Sequence, residues 1–379
     1  MIPYLITFGA TIILTYFAEI LIKNKQKILA FLLIGLSIFI LSFLAGVRND
    51  EVGKDIGIYV TPAFEWAQEL KFEDFIIKGD FEIGYKLFVY TFTQVFNNKH
   101  FILFAMQAIV STAVYIFAYK NKEKVSMTLL ILTFLMIFYN DTLTMMRQTI
   151  AMSFLLISII TFKEKKYIKT LILYVLAILF HNTSIIAILT YIIIAIDNTT
   201  KINKRSKFFI NAMLLIGFYA CAFLYQDILY MFTYDIPILP EKFYGYLSSS
   251  YYNQNGLSIS KANLMFRAIW IFIAFYISQI TKEKEAKTYF KFLCIELGLY
   301  FISFKLPPVM RLGYYFTYPA LLSMIPRTDK IFKSEKYNKI GANTLIILFL
   351  FVYWYFTFVM HGDAGGTYPY TSDIINKLF

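Results

Sequence analysis

Charge is scarce in this chain. Of its 379 residues only 16% are Asp, Glu, Lys or Arg, while 59% are hydrophobic. A soluble domain carries about 25% charge, and a soluble chain this apolar would lack the polar surface to cover its own core. The deficit excludes an ordinary water-soluble fold and leaves an all-α, polytopic integral membrane protein. Cysteine is nearly absent. Cys221 and Cys294 both lie in apolar stretches, which excludes a disulfide scaffold or a Cys-rich metal site. Neither GxxxxGK[ST] nor GxGxxG follows a strand-like run, so nothing points to bound ATP or NAD. Only three histidines occur, and no His or Asp pair shows recognisable metal spacing. Neither a metal nor an organic cofactor is expected, although a divalent cation beside Asp55 stays open.

What the chain does have is long apolar runs. A spanning helix needs about 20 such residues. Candidate spans are 2–22, 28–47, 101–119, 126–140, 148–162, 168–181, 183–196, 208–231, 263–281, 289–305, 310–325 and 341–360, about 12 in all. Six short, lysine-rich connections hold 23 Lys+Arg against 7 Asp+Glu. The positive-inside rule places them in the cytoplasm, and twelve spans then alternate through every one, with both termini outside. The outer segments hold 13 basic against 15 acidic residues. The net charge of +12 is thus an orientation signal and calls for no nucleic acid. Residues 82–97 are apolar enough to suggest another span, but counting them would invert every later loop. They are expected to form an interfacial or partly inserted helix. The N-terminus lacks the basic leader of a cleaved signal peptide, so the first span is expected to stay.

Residues 1–379 read as a single membrane domain with three outer features. These are a first loop at 48–100 with interfacial helices, a second at 232–262 rich in Tyr, Ser and Asn, and a tail at 361–379. In the first loop Thr61 is expected to cap a helix with Pro62 at its first position. The spans 126–140 and 148–162, and likewise 168–181 and 183–196, are short for a ~30 Å hydrocarbon core. Each pair is expected to form a hairpin whose tip, Arg147 or His181, lies below the outer surface. Polar tips at that depth require a protein-lined or wet cavity, which predicts an outward-facing cleft.

Arginine placement sharpens this. The chain has 30 Lys but only six Arg. Four of these, Arg48, Arg147, Arg267 and Arg311, map to outer ends of spans or hairpin tips. A guanidinium stays charged when partly buried and matches phosphate with a planar fork. An anionic ligand at the outer face is the expectation; helix-locking ion pairs are the plainer alternative for any one of them. His100, His181 and His361 also fall on the outer side. A lone His at a helix end usually caps it, but an ionisable group at membrane depth, as at His181, is usually functional. Glu296, midway along a span, suits either a transport path or a structural hydrogen bond.

Arg48, Val52, Gly53, Asp55 and Tyr59 form an RxxxVGxDxxxY run, and Glu82, Gly84 and Tyr85 an ExGY segment. Both resemble signatures of the EpsG family, Wzy-like polymerases and related proteins of bacterial exopolysaccharide assembly. Arg147, Gln148 and Ala151 are similar to RQxxA. Phe180, His181 and Ser184 are similar to FHxSA, with Ile185 where a small residue is usual. Arg311, with Tyr314, Tyr315 and Phe316, resembles a late RxxxYF segment, and Pro369-Tyr370 a Pro-Tyr tail. The resemblance implies a membrane glycosyltransferase of the bacterial cytoplasmic membrane, active at its outer face. Its donor would be oligosaccharide repeat units on undecaprenyl diphosphate, its partners the bilayer and other polysaccharide-assembly proteins, and its fold GT-C-like. Arg147 and Arg311, with Arg267 or Arg48, would bind the diphosphate. Glu82, Asp55 or His181 would be the base, Glu82 by preference. Tyr59, Tyr85, Gln148 and Tyr314 would contact substrate. A lipid-linked oligosaccharide flippase and a non-catalytic scaffold are the competing readings.

Overall fold

The computed structural model describes residues 1–199, 203–224, 231, 261–281, 283–304, 307, 309–331, 336–360 and 365–377. Among them regular structure is helical, without a strand. The chain divides into two units, Met1–Ile185 with Ile325–Phe379, and Ile186–Met324.

The first unit opens with the hairpin of α1 (Ile2–Lys23) and α2 (Lys27–Gly46), turned by Lys25 in the left-handed region at φ 62°. Three short helices follow: α3 (Thr61–Glu69), α4 (Phe72–Ile77) and the longer α5 (Ile83–Phe96). A π-turn over Ile56–Val60 leads into α3. Helix α3 therefore starts at Thr61, whose hydroxyl donates to Asp50 at 3.4 Å instead of capping. Next come α6 (Lys99–Asn121), α7 (Met127–Ile137), α8 (Tyr139–Thr144), α9 (Met146–Lys163) and α10 (Tyr167–Phe180). The expected span 126–140 is thus a shorter helix that breaks at Phe138.

Six helices of the described residues are long and apolar enough to cross a membrane: α1, α2, α6 and α9, and two more at Ala262–Thr281 and Gly341–Met360. The protein is an all-α, multi-pass membrane protein.

Helix α9 sets the polarity of the first unit. It packs between α6 and α10. At its far end Glu164 accepts from Lys120, the last turn of α6, at 2.8 Å. The starts of α6 and α9 and the end of α10 therefore share the opposite end. Helix α5 joins two of these points. Its Gly84 packs on Leu179 of α10, and its Phe96 stacks on Phe101 of α6 at 4.8 Å. It lies across one end of the bundle and does not run through it.

Gly84 is needed for that crossing, because a Cβ there would sit 2.7 Å from the Leu179 carbonyl oxygen. Gly53 is needed twice over: its φ is +99° and a Cβ would lie 2.2 Å from the Leu143 oxygen.

The C-terminal residues bind the same end. Gly53 and Lys54 donate their backbone N–H groups to Gly366 and Gly365 at 2.8 and 3.1 Å, and Asn49 donates to Thr371 at 3.0 Å. Ser372 and Tyr370 hydroxyls donate to the Val47 and Leu44 carbonyls at 2.5 and 2.7 Å, capping the end of α2.

The second unit holds α11 (Ile188–Asn198), α12 (Lys204–Phe223), α13 (Lys261–Thr281), α14 (Lys284–Ile302) and α15 (Val309–Met324). Asp197 ties α11 to α14 by accepting from Thr288 at 2.7 Å and Lys291 at 2.6 Å. After it, α16 (Thr328–Ile331), α17 (Lys336–Trp354) and α18 (Asp373–Asn376) belong to the first unit. Nearly all of the expected loop 232–262, including Tyr244, Tyr246, Tyr251 and Tyr252, and His361 lie outside the described residues.

Candidate active site

Three chain segments converge where α5 crosses the bundle. Glu82 immediately precedes α5, Arg147 stands in the first turn of α9, and His181 directly follows α10. Arg147 donates from a terminal guanidinium nitrogen to Glu82 Oε2. On the other side His181 Nδ1 lies 3.1 Å from Glu82 Oε1, which also accepts the Asn182 N–H at 3.4 Å. One carboxylate thus holds both polar tips. The Glu82 and Arg147 side chains are only 9% and 13% exposed, so water screens the pair weakly. Burial by itself would raise the Glu82 carboxyl; the His181 hydrogen bond and the Arg147 charge outweigh it and hold the group down at about 2.

An aromatic box surrounds the guanidinium. Its carbon lies 4.0 Å from the Tyr59 ring centre, 5.6 Å from Tyr85 and 5.8 Å from Phe81. The ring quadrupoles favour a cation there. The loop that presents Glu82 is pinned from behind by Lys86, whose ammonium donates to the Ile76 and Gly79 carbonyls at 2.7 and 2.8 Å. Two donors in the box, Arg147 Nε and the Tyr85 hydroxyl, are buried with no hydrogen-bond partner. Buried donors are rarely left so, and a ligand oxygen would satisfy them.

The other expected site residues are distributed as follows. Asp55 begins the π-turn that carries Tyr59, near enough for its charge to act on both Arg48 and Tyr85. Gln148 is buried beside Arg147. Arg48 is buried elsewhere: it donates to the carbonyls of Val52 (2.9 Å), Ala45 (2.7 Å) and Leu143 (3.2 Å), and to Met146 Sδ (3.2 Å). It clamps the end of α2, the loop after it and the α8–α9 break. His100 caps α2 through Nδ1, 2.7 Å from the Gly46 carbonyl.

In the second unit Arg267 donates to Glu296 at 2.7 Å and stacks on Tyr300 at 3.7 Å. Arg311 is exposed and Tyr314 half-buried on α15. Among the described residues no group of three or more His, Cys, Asp or Glu is placed to hold a metal.

Phe81, Asn182 and Lys86 were not anticipated. The only sequence signal for them was adjacency to Glu82 and His181. Phe81 is one of 40 phenylalanines, and nothing marks it until the fold brings it to Arg147.

The fold and this cluster define a helical membrane protein with a buried carboxylate shared by an arginine and a histidine at one end of its bundle. The EpsG family model matches residues 31–372, and the chain belongs to the EpsG family. That membership points to a polymerase-type glycosyltransferase of polysaccharide biosynthesis. No curated protein and no solved structure matches the chain.

Proposed function

We propose that the chain is a polysaccharide polymerase that joins oligosaccharide repeat units carried on undecaprenyl diphosphate, at the outer face of a bacterial cytoplasmic membrane. The observation that carries this reading is the Arg147–Glu82–His181 cluster with its two unpartnered donors. The lysine-rich turn at the far end of α9 supports a cytoplasmic assignment of that end. The cluster then faces outward, in a cleft of a twelve-span, GT-C-like protein with both termini outside.

In this reading Arg147 binds the donor diphosphate and stabilises the charge that grows on it as the glycosidic bond breaks. Fixed donors in a dry site suit this, and losing one costs on the order of 3 kcal/mol of barrier. Glu82, held at about 2, is a weak proton acceptor at neutral pH. His181, engaged by Glu82 at Nδ1, presents Nε2 as the base, as a carboxylate-oriented imidazole does. Glu82 is then a positioning residue, which replaces the preference for it as base. An acceptor sugar hydroxyl attacks the anomeric carbon, the new C–O bond forms, and the bond to the diphosphate oxygen breaks. The hydroxyl proton passes to His181 Nε2, and undecaprenyl diphosphate leaves. Tyr59 and Tyr85 shape the site around Arg147. Arg48 supports it from behind through the α8–α9 break. Arg311 is kept as an anion-binding candidate of the second unit on its exposure.

A flippase would draw on the half-buried Arg267–Glu296 pair. The test compares lipid-linked intermediates and surface glycan in a deletion strain complemented with wild type or Arg147→Ala at equal expression. Single repeat units on the outer leaflet without a ladder are expected for the mutant. Units retained on the inner leaflet would make the protein a flippase, and a normal ladder would remove Arg147 from the site.

A further inference from the structure

Beneath the helix that crosses the bundle lies an apolar groove between α6 and α9, of about 340 Å³. Its walls include Ala108 and Thr112 from α6, and Ser153 and Phe154 from α9. The small side chains keep it open. Phe154 is seven residues past Arg147, two helical turns along the same stripe of α9, or about 10 Å at ~1.5 Å per residue. It connects the groove to a ladder of rings. Phe154 meets Phe180 of α10 at 5.6 Å, and Phe180 meets Phe88 of α5 at 6.1 Å. Phe88, Phe92 and Phe96 then follow one another at 4.5 and 5.7 Å along α5, and Phe101 of α6 continues the series at 4.8 Å. The spacing of four residues puts the three α5 rings on one face. Phe96 and Phe101 remain 46% and 48% exposed. Phe180 directly precedes His181, which meets Glu82 at 3.1 Å, so the ladder passes beside the polar cluster.

On the reading of the Arg147 cluster as a diphosphate site, we infer that this groove and its phenylalanine ladder hold the polyisoprenoid chain of the donor. A diphosphate at Arg147 places the first isoprene units beside Phe154 and Phe180. A track of small residues beside stacked rings offers branched methyl groups close apolar contact. A bilayer phospholipid would cover the same surface without regard to Arg147, and that difference decides the matter.

The experiment reconstitutes the full chain in phosphatidylglycerol nanodiscs with a diazirine-bearing polyprenyl diphosphate that carries no glycan, and maps the labelled peptides. Labelling is expected in the peptides holding Thr112 and Phe154, competed by unlabelled polyprenyl diphosphate but not by added phospholipid. Arg147→Ala should reduce it roughly tenfold, the effect of losing one strong charge contact. Thr112→Trp, which fills the lipid-facing side of the groove, should reduce it similarly while the protein stays folded. Equal competition by phospholipid, or labelling unchanged in both variants, would overturn the assignment. Specific labelling in a wild type that polymerises no glycan would uphold the groove and remove the polymerase reading.

Discussion

His181 Nδ1 and Glu82 Oε1 stand 3.1 Å apart although 99 residues separate them in the chain. The pair engages Nδ1 and leaves Nε2 for another partner, which on the proposed function separates a positioning carboxylate from a base. If Glu82 only positions, then His181→Ala should lower kcat by roughly 10²–10⁴-fold, the usual worth of a general base, with donor KM little changed. Glu82→Gln keeps a hydrogen-bond acceptor for Nδ1 and should lose less. Steady-state kinetics of both variants in proteoliposomes check this. A larger loss in Glu82→Gln than in His181→Ala would return the base to Glu82.

Arg147→Lys tests whether the site needs a fork or merely a charge. Lysine keeps the cation but loses the planar geometry and the stacking on Tyr59 at 4.0 Å. Turnover should fall by about 10²–10³-fold, in the range for a lost transition-state donor, while the thermal unfolding of the detergent-solubilised protein barely moves. Wild-type turnover would show that a point charge suffices.

Arg48→Lys should behave in the opposite way. Arg48 is 1% exposed, and its guanidinium reaches three carbonyls that an ammonium on a shorter fork cannot serve together. Each buried carbonyl left unpaired costs about 1–3 kcal/mol. The variant should therefore be recovered at lower yield and unfold at lower temperature. Whatever folds should retain near-normal donor KM. A raised KM with unchanged stability would place Arg48 on the substrate.

The helix pattern was legible because hydropathy carries it. The apolar run at 28–47 became Lys27–Gly46, and that at 101–119 became Lys99–Asn121. That Arg147 and His181 stand at helix ends was legible for the same reason, because the apolar runs break beside them. Residues 82–97 hold a helix, Ile83–Phe96, that lies across one end of the bundle. Arg48 was legible only in its level, at the end of the second helix. Periodicity tells how far along the bundle an arginine lies, but not which carbonyls surround it. Those carbonyls come from Ala45, Val52 and Leu143, and the last depends on a long-range loop contact. The docking of the C-terminal residues on 44–54 was equally hidden, since most of its bonds have a backbone group at one end at least, which residue types do not encode.

The depressed carboxyl of Glu82 has a consequence for stability against pH. Its ordinary value is 4.5 and its value in the folded protein about 2. A lowered carboxylate contributes stability that is fully present above the unfolded value and lost as pH falls through the folded one. Between pH 7 and 5 this group should therefore cause no change, and the loss should develop from about 4.5 towards 2. Glu82→Gln should lack that component. Thermal unfolding of wild type and variant in detergent at several pH values gives the difference directly. A difference that changes between pH 7 and 5 would mean that Glu82 titrates there and is not held by Arg147 and His181.

Gly84 ties packing to chemistry. It stands two residues after Glu82, at the point where α5 touches α10, and a Cβ would lie 2.7 Å from the Leu179 oxygen and 2.9 Å from its carbonyl carbon. Backbone atoms within a helix do not swing aside as a flexible side chain would, so Gly84→Ala must push α5 away from α10. Glu82 travels with α5 and His181 with α10, so their separation is the distance that grows. Overpacking of this kind costs typically 1–3 kcal/mol, which a membrane protein of this size survives. Activity is more sensitive: a misplacement of about 1 Å can cost on the order of 10²-fold. Gly84→Ala should therefore insert and fold yet polymerise poorly, with kcat falling more than donor KM rises, because Arg147 on α9 is left in place. Gly84→Ser should be at least as impaired. Full turnover by Gly84→Ala would mean that the Glu82–His181 distance is not critical, and the base would then have to be sought elsewhere, with Asp55 the next residue to substitute.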